Sequence, residues 1–118
     1  MRVLNSLSAN EIAQIVEVAH VLADAARVAT LQHFRAEGLT ADNKEALRFD
    51  PVTVADRLSE ERMRAVLAVQ RPHDGILGEE FGTVEGTSGL TWVLDPIDGT
   101  RGYLSGTPTW GVLISIRD

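Results

Sequence analysis

Thr91-Trp92-Val93-Leu94-Asp95-Pro96-Ile97-Asp98-Gly99-Thr100 runs an apolar strand pattern directly into two carboxylates held by a proline and a glycine. Thr91 to Leu94 reads as a short buried strand. Asp95 and Asp98 follow it, and carboxylates at a strand end can converge on one point while the strand anchors them. Such oxygen ligands suit Mg²⁺ better than zinc or copper, and the chain has no cysteine and 3 histidines. Asp beside Pro or Gly also stabilises a plain turn, so the pattern alone leaves both a metal role and a turn role open. Gly99-Thr100 would open a short segment from Thr100 to Leu104, and free backbone N–H groups at such a start can hold a phosphate.

Outward from this stretch, the period is strand-like on both sides. Ile76-Leu77 before Gly78 reads as another short strand, followed by Glu79-Glu80, whose adjacent side chains would point opposite ways in a strand. Gly82 to Gly89 is rich in Gly, Ser and Thr and reads as a surface loop or hairpin turn. Trp110, Val112, Ile114 and Ile116 alternate with Gly111, Leu113 and Ser115, which predicts a strand buried on both faces. The sequence ends at Arg117-Asp118 without a further strand, and such an apolar strand needs neighbours for its backbone and side chains. The expectation is a truncated chain.

The first half is helical. Ser8 and Glu11 have capping-box spacing, and Leu7 with Ile12 has that of a hydrophobic staple. Ile12, Ile15, Val16, Ala19, Ala23 and Ala26 recur at helical spacing in a helix running to Phe34 or Arg35. Val18, Val21, Leu22 and Val28 widen its apolar surface beyond one stripe, so cover from more than one neighbour is expected. Gly38 to Phe49 reads as a polar loop or irregular hairpin. Thr53 is a candidate cap for a second helix, with Pro51 outside it and Asp56 at its third position. Leu58, Met63, Val66 and Val69 would form its buried face, and Arg71-Pro72 would stop it. The bottom-up fold class is α+β, helices first and strands second.

Composition bounds the function. With 118 residues the chain can bury one core. A formal net charge of -6 disfavours non-specific nucleic-acid or membrane partners. The start lacks an apolar leader, and Glu11, Gln14, Glu17, His20 and Asp24 interrupt the first helix, so a cytoplasmic location without a membrane span is expected. Without cysteine, disulfides and thiolate chemistry are excluded. His20 and His33 fall on the first helix away from every motif, and His73 falls in a loop; none is a metal candidate.

Together, Gly78-Glu79-Glu80 and Trp92 to Thr100 resemble the signature of the inositol-monophosphatase superfamily. Asp50-Pro51-Val52-Thr53-Val54-Ala55-Asp56 is similar to its companion motif, and Arg101 to Gly111 resembles the histidinol-phosphate-phosphatase branch. The resemblance implies the N-terminal part of a layered αβαβα sugar-phosphatase sandwich, helices followed by a mostly antiparallel sheet. Residues 1–118 would form its metal- and phosphate-binding domain, with the C-terminal domain absent.

It further implies Mg²⁺-dependent hydrolysis of a small phosphorylated metabolite, L-histidinol phosphate first. Inositol monophosphate or another superfamily substrate is the alternative, and an inactive truncated fragment acting by association is a second. Glu79, Asp95 and the Ile97 carbonyl would bind the first Mg²⁺, and Asp95 with Asp98 would contribute to a second, completed by an aspartate from the absent half. Gly99 and Thr100 would receive the phosphate, with Glu79, Ile97 and Asp98 at the same substrate site. Asp56 would orient or deprotonate a Thr100–water network, or cap its helix. The catalytic set is therefore Asp56, Thr100 and Glu79. Arg101 could contact substrate, pair with a carboxylate or only fit its helix, while Tyr103 and Trp110 are read as packing that holds the metal loop. A homodimer is implied as possible. The isolated chain is expected to be inactive or weakly active, because its metal shell would be incomplete.

Overall fold

The computed structural model describes residues 3–34, 51–106 and 110–118. The expected loop over 38–49 and the candidate residue Asp50 lie outside the described residues. A short 3-10 turn, Leu4–Ser6, precedes α1, Ala9–His33, and α2 spans Pro51–Gln70. The strands are β1, Gly75–Gly78; β2, Gly82–Val84; β3, Thr91–Asp98; and β4, Gly111–Arg117. The six-residue α3, Thr100–Ser105, lies between β3 and β4.

Ser8 caps α1 as its spacing predicts, its hydroxyl accepting from the Glu11 N–H at 3.1 Å. The buried face draws on both apolar sets of the helix. Ile15, Val18, Leu22, Ala26 and Ala29 face inward, whereas Ile12 and Val16 are about half exposed, at 48% and 49%, and Ala23 is exposed. Apolar residues occur around the whole circumference of α1, so periodicity alone does not select the inward side.

The second helix corrects four expectations. It includes Pro51, a residue that the first turn tolerates because its missing N–H would have no helical partner there. Thr53 is therefore inside the helix rather than its cap. Asp56 is the sixth helical residue, beyond the first turn, so it is not at the third position and is out of capping reach. Met63, Leu67, Ser59 and Glu60 are buried, while Val69 is 81% exposed.

The sheet order is β2-β1-β3-β4. Two of the three pairings are antiparallel, and the central β1–β3 pair is parallel. Gly82–Val84, expected in a loop, forms an edge strand. From β2 the chain returns to start β3 beside β1, and Gly86 crosses directly over the backbone of His73, Asp74 and Gly75. A Cβ at Gly86 would collide with Gly75 N, so only glycine fits this crossing. His73 C=O accepts from Thr87 N–H at 2.8 Å and Ser88 N–H at 3.0 Å, which fixes the return.

Both long helices contribute to one core with the sheet. Leu22, Met63, Leu67, Trp92 and Leu94 are essentially inaccessible, and each such side chain stabilises the fold by about 2 kcal/mol. At its rim Asp74 accepts from Arg71 Nε at 2.6 Å, Ser88 Oγ at 2.7 Å and Trp92 Nε1 at 2.9 Å. Burial pushes the Asp74 carboxyl up, but these hydrogen bonds outweigh it and hold the group below its ordinary range. The node ties the start of β1 to the start of β3. Contrary to expectation, β4 is not buried on both faces. Val112, Ile114 and Ile116 pack partly on the core, while Leu113 on the other face is 54% exposed.

Candidate functional site

The parallel register brings the site together. Gly75 pairs with Thr91 and Gly78 with Leu94, so Glu79 and Asp95 each follow a strand residue at the same level of the sheet. Ligands of such sheets gather beyond the carboxyl ends of parallel strands. Leu77, Gly78, Glu79, Val93, Leu94 and Asp95 line an open groove of about 370 Å³ there.

The strand β3 continues past Leu94, so Asp95 and Asp98 lie within it rather than after it. Asp95 pairs with Leu113 and Asp98 with Gly111. Three steps along β3 therefore match two along β4, and one extra residue makes a bulge. Regular alternation would put residues 95 and 98 on opposite faces. The bulge resets the phase: Trp92, Leu94, Pro96 and Ile97 are buried, whereas Asp95 is half-buried and Asp98 exposed. Pro96 has no N–H to give the ladder and sits where the ladder breaks. The Ile97 side chain packs with Ala55 and Tyr103, which anchors the peptide whose carbonyl is a candidate ligand.

The electrostatics follow from this placement. Burial, then the charge of Glu79, then that of Asp98 push the Asp95 carboxyl above its ordinary value. Three carboxylates thus share one negative corner. Among the described residues no group of three or more such side chains stands close enough together to hold a metal ion by itself. The donor set is all oxygen and carries unneutralised charge, a chemistry that fits Mg²⁺.

Glu79 is exposed in the turn after β1, and Glu80 is half-buried, with Arg57 Nε 3.8 Å from its carboxylate. Both glutamates lie in a turn rather than a strand. Beneath them is a residue that sequence reasoning missed. Glu60 of α2 is fully buried and accepts from Arg64 Nε at 3.0 Å, Glu80 N–H at 3.2 Å and Phe81 N–H at 2.8 Å. Its only sequence signal was a Glu–Arg pair four residues apart beside the apolar stripe.

After the bulge, Gly99 takes φ 90° and ψ 48°, a left-handed conformation natural to glycine, and α3 starts. Tyr103 N–H closes the first turn onto Gly99 C=O at 3.1 Å. The Thr100 side chain lies outside the described residues. Tyr103 and Trp110 do pack as expected: with Phe34 they form an aromatic cluster, their two ring centres 4.9 Å apart. Tyr103 O–H donates to Thr30 C=O at 2.7 Å, which fastens α3 to the end of α1. Burial, then the charge of Asp56, push the tyrosine up to about 12. Half-buried Asp56 is therefore near enough to Tyr103 of α3 for its charge to be felt there. Arg101 is exposed, and among the described residues no helix is long and apolar enough to cross a membrane.

This fold, with carboxylates at the ends of β1 and β3 and a short helix after a left-handed glycine, defines the class. The profile of the Inositol monophosphatase family matches residues 11–118, and the chain belongs to that family. It is 46% identical over 103 residues to a histidinol-phosphatase of Streptomyces coelicolor, covering 87% of this chain and 38% of that protein. It is 44% identical over 101 residues to a histidinol-phosphatase of Mycobacterium tuberculosis, covering 86% and 38%. The solved structure of an inositol monophosphatase from Zymomonas mobilis superposes with a TM-score of 0.69 at 44% identity, over 93% of this chain and 40% of that one. The chain thus spans about two fifths of the length of these relatives.

Proposed function

We propose that this chain is the metal- and phosphate-binding part of a Mg²⁺-dependent phosphomonoesterase that cleaves L-histidinol phosphate to L-histidinol and phosphate in the cytoplasm, as a step of histidine biosynthesis. The observation that carries the reading is the negative corner at the ends of β1 and β3, where a bulge returns Asp98 to the side of Asp95. Glu79, Asp95, Asp98 and the Ile97 carbonyl would hold the cation. When bound, Mg²⁺ supplies positive charge to the phosphate and acidifies the attacking water. Gly99 and Thr100 would orient the phosphate through their backbone N–H groups. Asp56, one helix away, would accept the proton from the Thr100–water network. Residues 1–118 would form this unit, with the remaining ligands and most of the alcohol-recognition surface contributed by residues beyond it. A homodimer is part of the proposal and is tested by sedimentation equilibrium.

The histidinol-phosphatase names of two relatives near 45% identity support the substrate, and the Zymomonas structure at 44% supports inositol monophosphate as the second reading. The test is phosphate release from each substrate in Mg²⁺, by the chain alone and by the chain complemented with the portion of the Streptomyces relative that it does not cover. Weak or no release alone, and EDTA-sensitive release of histidinol phosphate after complementation, is the expected result. Preference for inositol monophosphate would move the reading to the second substrate. Release unaffected by EDTA would contradict the metal.

A further inference from the structure

Resting on that cation site, we propose that Glu60 is a positioning residue for it, holding the turn that presents Glu79. Glu60 touches the turn from both sides of Glu79. Its carboxylate receives the N–H groups of Glu80 and Phe81 at 3.2 and 2.8 Å. It also lies so close to Gly78 that a Cβ there would collide with it. The residue before Glu79 and the two after it are thus set by one buried side chain. Arg64 extends the hold: while Nε bonds Glu60, Nη2 donates to Gly82 C=O at 2.5 Å, where β2 begins.

The choice of a carboxylate here needs a reason beyond packing. Burying one costs several kcal/mol unless donors surround it, and an apolar residue of similar size would fill the space at no such cost. Only an anionic acceptor with two oxygens can hold two successive peptide N–H groups and an arginine together. The outer contacts of the turn are weaker. Arg57 reaches Glu80 at 3.8 Å, and the guanidiniums of Arg57 and Arg64 lie 6.0 and 5.8 Å from the Phe81 ring centre. Glu60 also stands one helical turn after Asp56 on α2. It therefore fixes the Glu79 turn relative to the helix that carries the proposed proton acceptor, a link between two functional groups that share no strand.

The test measures Mn²⁺ affinity, by loss of the free-ion paramagnetic resonance signal, beside thermal midpoints for the full chain. The variants are Glu60→Gln, Glu79→Gln and Leu67→Ala, the last a core control that destabilises without touching the turn. In Glu60→Gln the new amide nitrogen donates where Arg64 or a peptide N–H also donates, so the turn loosens. Its Mn²⁺ dissociation constant rises about tenfold, the scale of lost outer-shell support, whereas Leu67→Ala at a comparable midpoint stays within about twofold. If Glu60→Gln does not fold, Arg64→Lys, which keeps the charge but loses the fork, shows the same direction of change. Wild-type affinity in Glu60→Gln, or in Arg64→Lys where that stands in, with binding lost in Glu79→Gln, overturns the role of Glu60 and leaves the cation site. An equal rise in Leu67→Ala also overturns it. Unchanged affinity in Glu79→Gln refutes the cation site itself, and this inference with it.

Discussion

Replacing Trp92 with Phe separates the part of the fold that aligns the site from the part that merely fills space. Trp92 Nε1 donates to the Asp74 carboxylate at 2.9 Å in a buried position. Phe removes that donor from an ionised acceptor, at about 1.5–3 kcal/mol. It also leaves part of the indole volume empty, at about 1 kcal/mol. The sum, about 3 kcal/mol, is large against a domain stability of about 5–15 kcal/mol, and it lowers the thermal midpoint by roughly 10–20 °C. Urea unfolding followed by circular dichroism measures it without relying on the tryptophan signal.

A cycle with Asp74→Asn isolates the bond, and a coupling of about 1.5 kcal/mol is expected. The pH dependence gives a second check. The folded Asp74 carboxyl is held below its ordinary value. Its stabilisation is therefore present above the unfolded value, about 4, and is lost as pH falls through the folded one. The difference between wild type and Trp92→Phe should shrink below about pH 4. A total loss under about 1 kcal/mol, or a difference that grows on acidification, would refute the reasoning.

Three further substitutions probe other links. Tyr103→Phe removes the 2.7 Å bond to Thr30 C=O. That carbonyl still accepts from Phe34 N–H at 3.1 Å, so chemical denaturation should show a loss of only about 1 kcal/mol. Asp95→Asn removes a carboxylate whose folded value is raised by burial, Glu79 and Asp98. Above the unfolded value its charge opposes folding, so the metal-free midpoint should rise by a few degrees while the gain from added Mg²⁺ disappears, both read by differential scanning calorimetry. Ser59 is buried, and its hydroxyl has no hydrogen-bond partner among the described residues. Ser59→Ala should therefore stabilise the chain by up to about 1 kcal/mol in urea, and a loss of stability would show that the hydroxyl is satisfied.

The features legible in the sequence were those written in local chemistry. Ser8 capped its helix, and Ile76-Leu77 and Thr91 to Leu94 became paired strands. Tyr103 and Trp110 packed against each other as core aromatics. What the sequence left open depends on partners distant along the chain. Apolar residues on all sides of α1 gave no phase, so the inward face was chosen by α2 and the sheet. Val69 followed the helical period but fell beyond the covered surface. Strand alternation gave no sign that an extra residue between Asp95 and Asp98 would bring both to one side, because a bulge is defined by the partner strand. Glu60 resembled a surface ion-pair residue until Gly78 and the peptides after Glu79 were seen around it.

The most direct test of the cation site is a Mg²⁺ titration of the ¹⁵N-labelled chain followed by amide chemical shifts. Saturable shifts centred on Glu79, Asp95, Ile97, Asp98 and Gly99, and absent in Asp95→Asn, are the predicted result. Shifts scattered over the acidic surface, or unchanged by Asp95→Asn, would contradict the account.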